Sequence, residues 1–226
     1  IMNLVPPITV VDADFHSCTI AEPSATDTGL AQYSGDWATG TLYHVNDIVH
    51  YIPTAPPGAP SSHKLYICLQ NSTGFTPGGA GNDAYWLEYR YTEAWLPFDG
   101  KVTLRAVSAA PDTDIVYQLH PNDGVHAIAI DSMAVLNVEA ESVTVLVEEG
   151  SFGGTEIDSW TWDTYDNTNE LYVSDVVKTD IEHCDHPFIT VTIHNSLGTA
   201  KVGEIVIGNK ESIRTTQYTP TGGIIY

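Results

Sequence analysis

Asp47-Ile48-Val49-His50-Tyr51-Ile52 and Lys64-Leu65-Tyr66-Ile67-Cys68-Leu69 decide the class of this fold. β-Branched and aromatic residues dominate both runs, and neither run reaches the length of an ordinary helix. Between them stand Pro53, Pro56, Pro57, Gly58 and Pro60, which remove ladder donors and force a loop. The two runs therefore predict a pair of antiparallel strands. The same alternation recurs outward along the chain. Ile8-Thr9-Val10-Val11 predicts an opening strand, and further strands are expected over residues 125–130, 142–147, 171–173, 189–194 and 202–207. No stretch of a dozen residues carries apolar positions at helical spacing with credible caps. Short strands at this spacing predict an all-β sandwich or barrel.

Composition agrees. Apolar residues reach 42%, enough for a buried core, while charged residues reach only 16%, below the usual quarter. The 18 Gly and 13 Pro supply the turns that many short strands require. A formal charge of −21, from 29 acidic against 8 basic residues, leaves no cationic stripe. Nucleic-acid binding and attraction to anionic membranes, which rest on cationic contacts to phosphate, are both disfavoured. Cys18, Cys68 and Cys184 are widely spaced and odd in number, so neither a zinc knuckle nor a disulfide framework is indicated. No apolar run approaches membrane-spanning length, and no membrane insertion is expected. The start Ile1-Met2 lacks the basic flank and apolar core of a signal peptide and reads as part of a longer polypeptide.

Composition shifts near residue 96, with Trp37, Trp86, Trp95 and many Tyr before it and longer β-branched runs after it. We therefore expect an N-terminal arm or strand over 1–31, a small three-stranded aromatic module over 32–96, and a jelly-roll-like β-sandwich over 97–226. The arm could belong to the sandwich. A module as small as 32–96 buries little area with aliphatics, so large rings, each covering ~150–250 Å², must hold it together. Asn46-Asp47 and Gly74 with Pro77 mark its turns.

This pattern resembles the small chitin-binding-type carbohydrate-binding modules of chitinases and related secreted enzymes. Trp37, Tyr43, Asp47, Val49, Tyr66, Cys68, Gly74, Pro77 and Trp86 occupy matching positions. Asn46 stands where Gly is usual, and the loop between the strands is longer than the family norm. The resemblance implies aromatic rings that stack on the C–H faces of sugars. Trp37, Tyr43, Tyr66 and Trp86 lie inside the pattern that builds the module and are expected in its core. Trp95, Tyr89 and Tyr91 follow the closing Trp and are the candidates for glycan contact, with packing between modules as their alternative.

Segments spread along the chain are similar to a recurrent type of bacteriophage tail structural protein. They are Pro7-Ile8-Thr9-Val10-Val11-Asp12-Ala13, Glu93-Ala94-Trp95-Leu96-Pro97-Phe98-Asp99-Gly100-Lys101-Val102, Gly203-Glu204-Ile205-Val206-Ile207-Gly208, and the end from Thr215-Thr216-Gln217-Tyr218 to Gly222-Gly223-Ile224-Ile225. Thr219 replaces a usual Gly, and an Asp usual before the last Tyr is missing. This resemblance implies a virion component of the tail, baseplate or fibre attachment region, assembled in the host cytoplasm. Its partners would be other tail proteins and copies of itself, with host surface glycan as a further partner. The alternative is a glycan-binding module of a secreted enzyme or adhesin.

Candidate catalytic chemistry is sparse. Glu182-His183-Cys184-Asp185-His186-Pro187 offers metal-ligand types, but consecutive turn residues rarely converge on one ion. Asp158, Asp163 and Asp166 surround Trp160, Trp162 and Tyr165, which could line a sugar cleft; residues 159–168 read more plainly as a loop or strand end with aromatic anchors. Asp112-Thr113-Asp114 lacks the spacing of a calcium loop. No nucleophile elbow, zincin, phosphate-loop or dinucleotide motif is present. No catalytic residue, metal or cofactor is expected, and the chain reads as non-enzymatic.

Overall fold

The computed structural model describes residues 2–4, 7–52, 63–122, 127–213, 217–218 and 224–225. The protein is all-β. The strands that position the candidate sites are, in chain order, β1 (Phe15–Cys18), β2 (Tyr33–Asp36), β3 (Ile48–Tyr51), β4 (Lys64–Cys68), β5 (Trp86–Tyr91), β6 (Ile115–Leu119), β7 (Ser132–Leu136), β8 (Ser142–Glu149), β9 (Thr155–Asp163), β10 (Val176–Lys178), β11 (Pro187–His194) and β12 (Glu204–Gly208). The only helical pieces among the described residues are short turns at Ala25–Thr28 and Glu93–Phe98.

Two sheets form a sandwich: five strands in the order β9-β8-β11-β6-β1, and three in the order β10-β7-β12. Alternation drives this packing. Val143, Val145 and Val147 on β8, Ile189, Val191 and Ile193 on β11, and Ile115, Tyr117 and Leu119 on β6 all face inward and are fully buried. They share one hydrophobic cluster with Met133, Val135, Ile205 and Ile207 of the opposing sheet. Each such aliphatic side chain contributes about 1.5–3 kcal/mol by leaving water.

Two sequence expectations fail here. Residues 8–11 form no ladder, because the Asp14 carboxylate captures the Val11 N–H at 2.8 Å and turns the chain. Ile8 donates to the sandwich, to Ile207 O at 2.8 Å. Of the strand expected over 125–130, Val125 and His126 lie outside the described residues, and 127–130 is irregular; the strand is β7, just beyond. β7 is paired on both sides, and its residues 132–135 are buried on both faces, so it lacks the period-two signal. Residues 159–163, expected as a loop or strand end, complete the nine-residue β9. The expected loop at 53–62 lies outside the described residues.

The small sheet has four strands rather than three, in the order β2-β3-β4-β5. The antiparallel pair β3–β4 runs in the register Val49↔Tyr66 and His50↔Leu65. β2 adds in parallel to β3 with a register shift between Tyr33 and Asp36. Gly35 sits in that shift at φ +85°, a conformation that costs glycine nothing. Tyr43, Val49, Tyr66, Cys68 and Trp86 make a second, smaller cluster. Asn46 before β3 has φ 74°, which explains both a Gly preference there and why Asn, tolerant of the left-handed region, can replace it.

Candidate functional site

The small sheet's outer corner carries a shallow cavity of about 250 Å³ lined by Asp36, Trp37, His50, Tyr51 and Ile52. Two strands deliver these residues. β2 ends at Asp36, and the Trp37 N–H donates to His50 O at 2.8 Å, which holds the Trp37 backbone beside β3. The Trp37 and Tyr51 rings meet edge to face with centroids 5.3 Å apart. The Asp36 carboxylate is largely exposed, and its Oδ1 lies 2.9 Å from His50 Nδ1. The Trp37 Nε1–H is buried without an acceptor among the described residues.

Behind this corner the polar side chains continue inward. His50 Nε2 faces Glu22 Oε1 at 3.6 Å, and His63 Nδ1 lies 2.9 Å from both Glu22 oxygens. His63 Nε2 meets Asp12 Oδ1 at 3.0 Å, and Thr92 Oγ1 donates to Glu22 at 2.5 Å. Burial works against the His50 imidazolium, but the Glu22 and Asp36 carboxylates outweigh it and raise its pKa. The same opposition, with Glu22 and Asp12, raises His63. Burial also opposes charge on Glu22, yet the nearby His50 and the hydrogen bonds with His63 and Thr92 hold its pKa down at about 2.

The aromatic residues singled out in the sequence divide. Tyr43, Tyr66 and Trp86 are buried in the small cluster, and Trp37 packs half-buried against it. Trp86 Nε1 donates to Phe75 O at 2.6 Å, and the Tyr43 hydroxyl accepts the Ala38 N–H at 2.8 Å. Trp95 cannot be a sugar platform. It is 4% exposed, with Phe15 stacked at 4.5 Å and His63 at 4.2 Å, and it belongs to the sandwich cluster. Tyr91 is also partly buried against that cluster, with Lys64 Nζ 4.8 Å from its ring centroid. Tyr89, which falls at the β4–β5 register shift, is 48% exposed.

The acidic and metal-type clusters do not converge. Asp158 lies near Lys178 and accepts the Glu182 N–H, whereas Asp166 closes its own turn onto Thr168 N. Asp163 lines a separate polar cavity of about 470 Å³ at the sandwich end, with Glu141, Tyr165, His194 and Ser196. Sequence marks Asp163 and Tyr165 but not their partners Glu141, His194 and Ser196, which reach the cavity from separate strands and turns. Its His194 bonds Asp114 at 2.6 Å, which raises the imidazole pKa. Cys184 turns into the core while His183 stays exposed beside Asp185. Among the described residues, no group of three or more His, Cys, Asp or Glu side chains is arranged to hold a metal ion. No helix among them is long and apolar enough to cross a membrane.

No family model and no curated protein matches this chain. Among solved structures, it is similar to chitosan-binding module 1 of a chitosanase/glucanase from Paenibacillus sp. IK-5, at 19% identity and a TM-score of 0.33, over 50% of this chain and 81% of that one. It is also similar to a Clostridium perfringens module, CpGH89CBM32-5, solved with GalNAc-β-1,3-galactose. There the identity is 16% and the TM-score 0.37, over 51% of this chain and 82% of that one.

Proposed function

We propose that this chain is a non-catalytic recognition component that binds glycan through its small aromatic sheet. One observation carries the reading: the corner cavity sets two aromatic rings, Trp37 and Tyr51, beside an exposed carboxylate, Asp36. This is chemistry that suits a pyranose. Its C–H face packs on a ring, and its hydroxyls donate to a carboxylate. The resemblance of residues 37–86 to chitin-binding-type modules points the same way, and Tyr89 on β5 offers a further exposed ring. The test is affinity electrophoresis and calorimetry against chitooligosaccharides, chitosan and galactose-terminated glycans. Binding to at least one, weakened tenfold or more by Trp37→Ala and by Asp36→Asn, is the expected result. No binding at millimolar ligand, or undiminished binding by both variants, would refute it.

A second reading, a structural subunit of a bacteriophage tail, has a specific observation behind it. Residues 93–99, which carry part of that resemblance, form a buried junction. Glu93 is 2% exposed, accepts hydrogen bonds from Ser24 Oγ at 2.6 Å and Val107 N at 3.0 Å, and precedes the buried Trp95. A chain braced internally at this motif suits a rigid part of a larger particle. Light scattering and electron microscopy of the purified protein test it. Closed symmetric oligomers support the subunit reading, and a strict monomer at high concentration counts against it.

A further inference from the structure

We propose that His50 and His63, set between the carboxylates of Asp12, Glu22 and Asp36, form a pH-operated clamp. Closed in mildly acidic solution, it holds the segment around Glu22, between the two sheets' strands at 15–18 and 33–36, against the small sheet and Trp95, and it slackens as the two imidazoles lose their protons. The inference goes beyond glycan recognition and does not depend on it.

The geometry calls for two protons on His63, while His50 bonds one carboxylate and holds its second nitrogen near another, beyond hydrogen-bond distance. His63 presents one nitrogen to Glu22 at 2.9 Å and the other to Asp12 at 3.0 Å. His50 presents one to Asp36 at 2.9 Å and the other, buried, toward Glu22 at 3.6 Å. A neutral imidazole carries a single N–H, so it can serve only one of its two carboxylates and must aim a lone pair at the other. Losing one proton from each ring leaves three carboxylates facing each other across two neutral imidazoles.

No permanent cation takes over among the described residues. Arg90, on the neighbouring strand, is committed to the buried Asp27 at 2.7 Å, and Lys64 to Glu88 at 2.7 Å with Tyr91 beneath it. The remaining groups facing Glu22 are the Thr92 hydroxyl and the Cys18 thiol, which stays protonated because burial pushes it up to about 11. With 8 basic residues against 29 acidic ones, the chain has few cations to spare. The two histidine protons are therefore the neutralising charge at this seam.

The sign follows from the directions. Both imidazoles are raised, so their contribution is complete below the ordinary histidine value near 6.5 and fades as pH climbs through the raised values. Glu22, held at about 2, contributes fully above the ordinary carboxyl range and fails only as pH falls toward that value. The clamp is tightest from about pH 4.5 to 6.5.

Hydrogen exchange followed by mass spectrometry tests this on the intact chain, corrected for the intrinsic pH dependence of exchange. Peptides covering residues 20–37 should lose protection at least tenfold between pH 6 and 9, while the β8 peptide keeps its own. The His50→Gln/His63→Gln double variant should show low and pH-independent protection over 20–37. NMR titration of wild-type His50 and His63 supplies a check that needs no variant, and both midpoints should lie above 6.5. Unchanged corrected protection across that range, a double variant that retains the wild-type pH profile, or a midpoint below 6.5 would overturn the proposal.

Discussion

Replacing Asp27 with alanine asks whether residues 22–33 are part of the core or a surface arm. The Asp27 side chain is fully buried. One oxygen lies 2.7 Å from Arg90 Nη2, and the other accepts the backbone N–H of Ser24 at 3.0 Å and of Glu93 at 3.1 Å. Ser24 Oγ returns a bond to Asp27 N at 3.0 Å, closing a capping box on the turn Ala25–Thr28. One carboxylate thus joins the N-terminal segment, the small sheet and the junction at Glu93. Removing it strands a guanidinium whose side chain is 12% exposed, and breaking a buried pair in this way costs about 3–5 kcal/mol. The orphaned N–H groups are worth about 1–3 kcal/mol each, but they relax together with Arg90, so the terms overlap rather than add. We expect a loss of about 3–5 kcal/mol in urea unfolding, and a smaller loss in Asp27→Leu/Arg90→Met, where no charge is left behind. The double variant should recover about 2 kcal/mol or more relative to the sum of the single changes. A single-variant loss below about 1 kcal/mol, or strict additivity, would show that the segment merely lies on the surface.

Trp86→Ala should cost the small sheet about 3–5 kcal/mol and collapse its near-ultraviolet dichroism, while β8 and β11 keep their exchange protection; equal loss in both sheets would contradict separate clusters. All three thiols should resist Ellman's reagent in native protein and react on denaturation, since Cys68 and Cys184 are buried and burial raises the Cys18 pKa to about 11. Rapid native labelling of any one would show that its site is open. Asp114→Asn should return the His194 pKa toward the ordinary imidazole value in an NMR titration, because the Asp114 hydrogen bond is the main cause of its rise. An unmoved midpoint would transfer that role to Glu141.

Much of the fold was legible for a local reason. In a strand, side chains alternate across the sheet, so Val143, Val145 and Val147, or Ile189, Val191 and Ile193, mark their inward face without reference to any neighbour. β7 escaped because burial on both faces erases that alternation. The turn at Asn46 was readable because few residues accept its φ of 74°.

The candidate site was less legible. Trp95 and Tyr89 are both aromatic residues after the same strand pattern, and only packing against Phe15 and His63 sends one inside. Glu22, Asp27 and Glu93 look in sequence like ordinary solvated acids. Their burial is set by partners many residues away, His63, Arg90 and Ser24. By itself the sequence determined the all-β class and the inward faces of most strands, since the strand period is a property of the local backbone. Tertiary structure alone decided which rings stay open and which charges are enclosed, because burying a charge is tolerable only where a distant chain segment brings its counterpart.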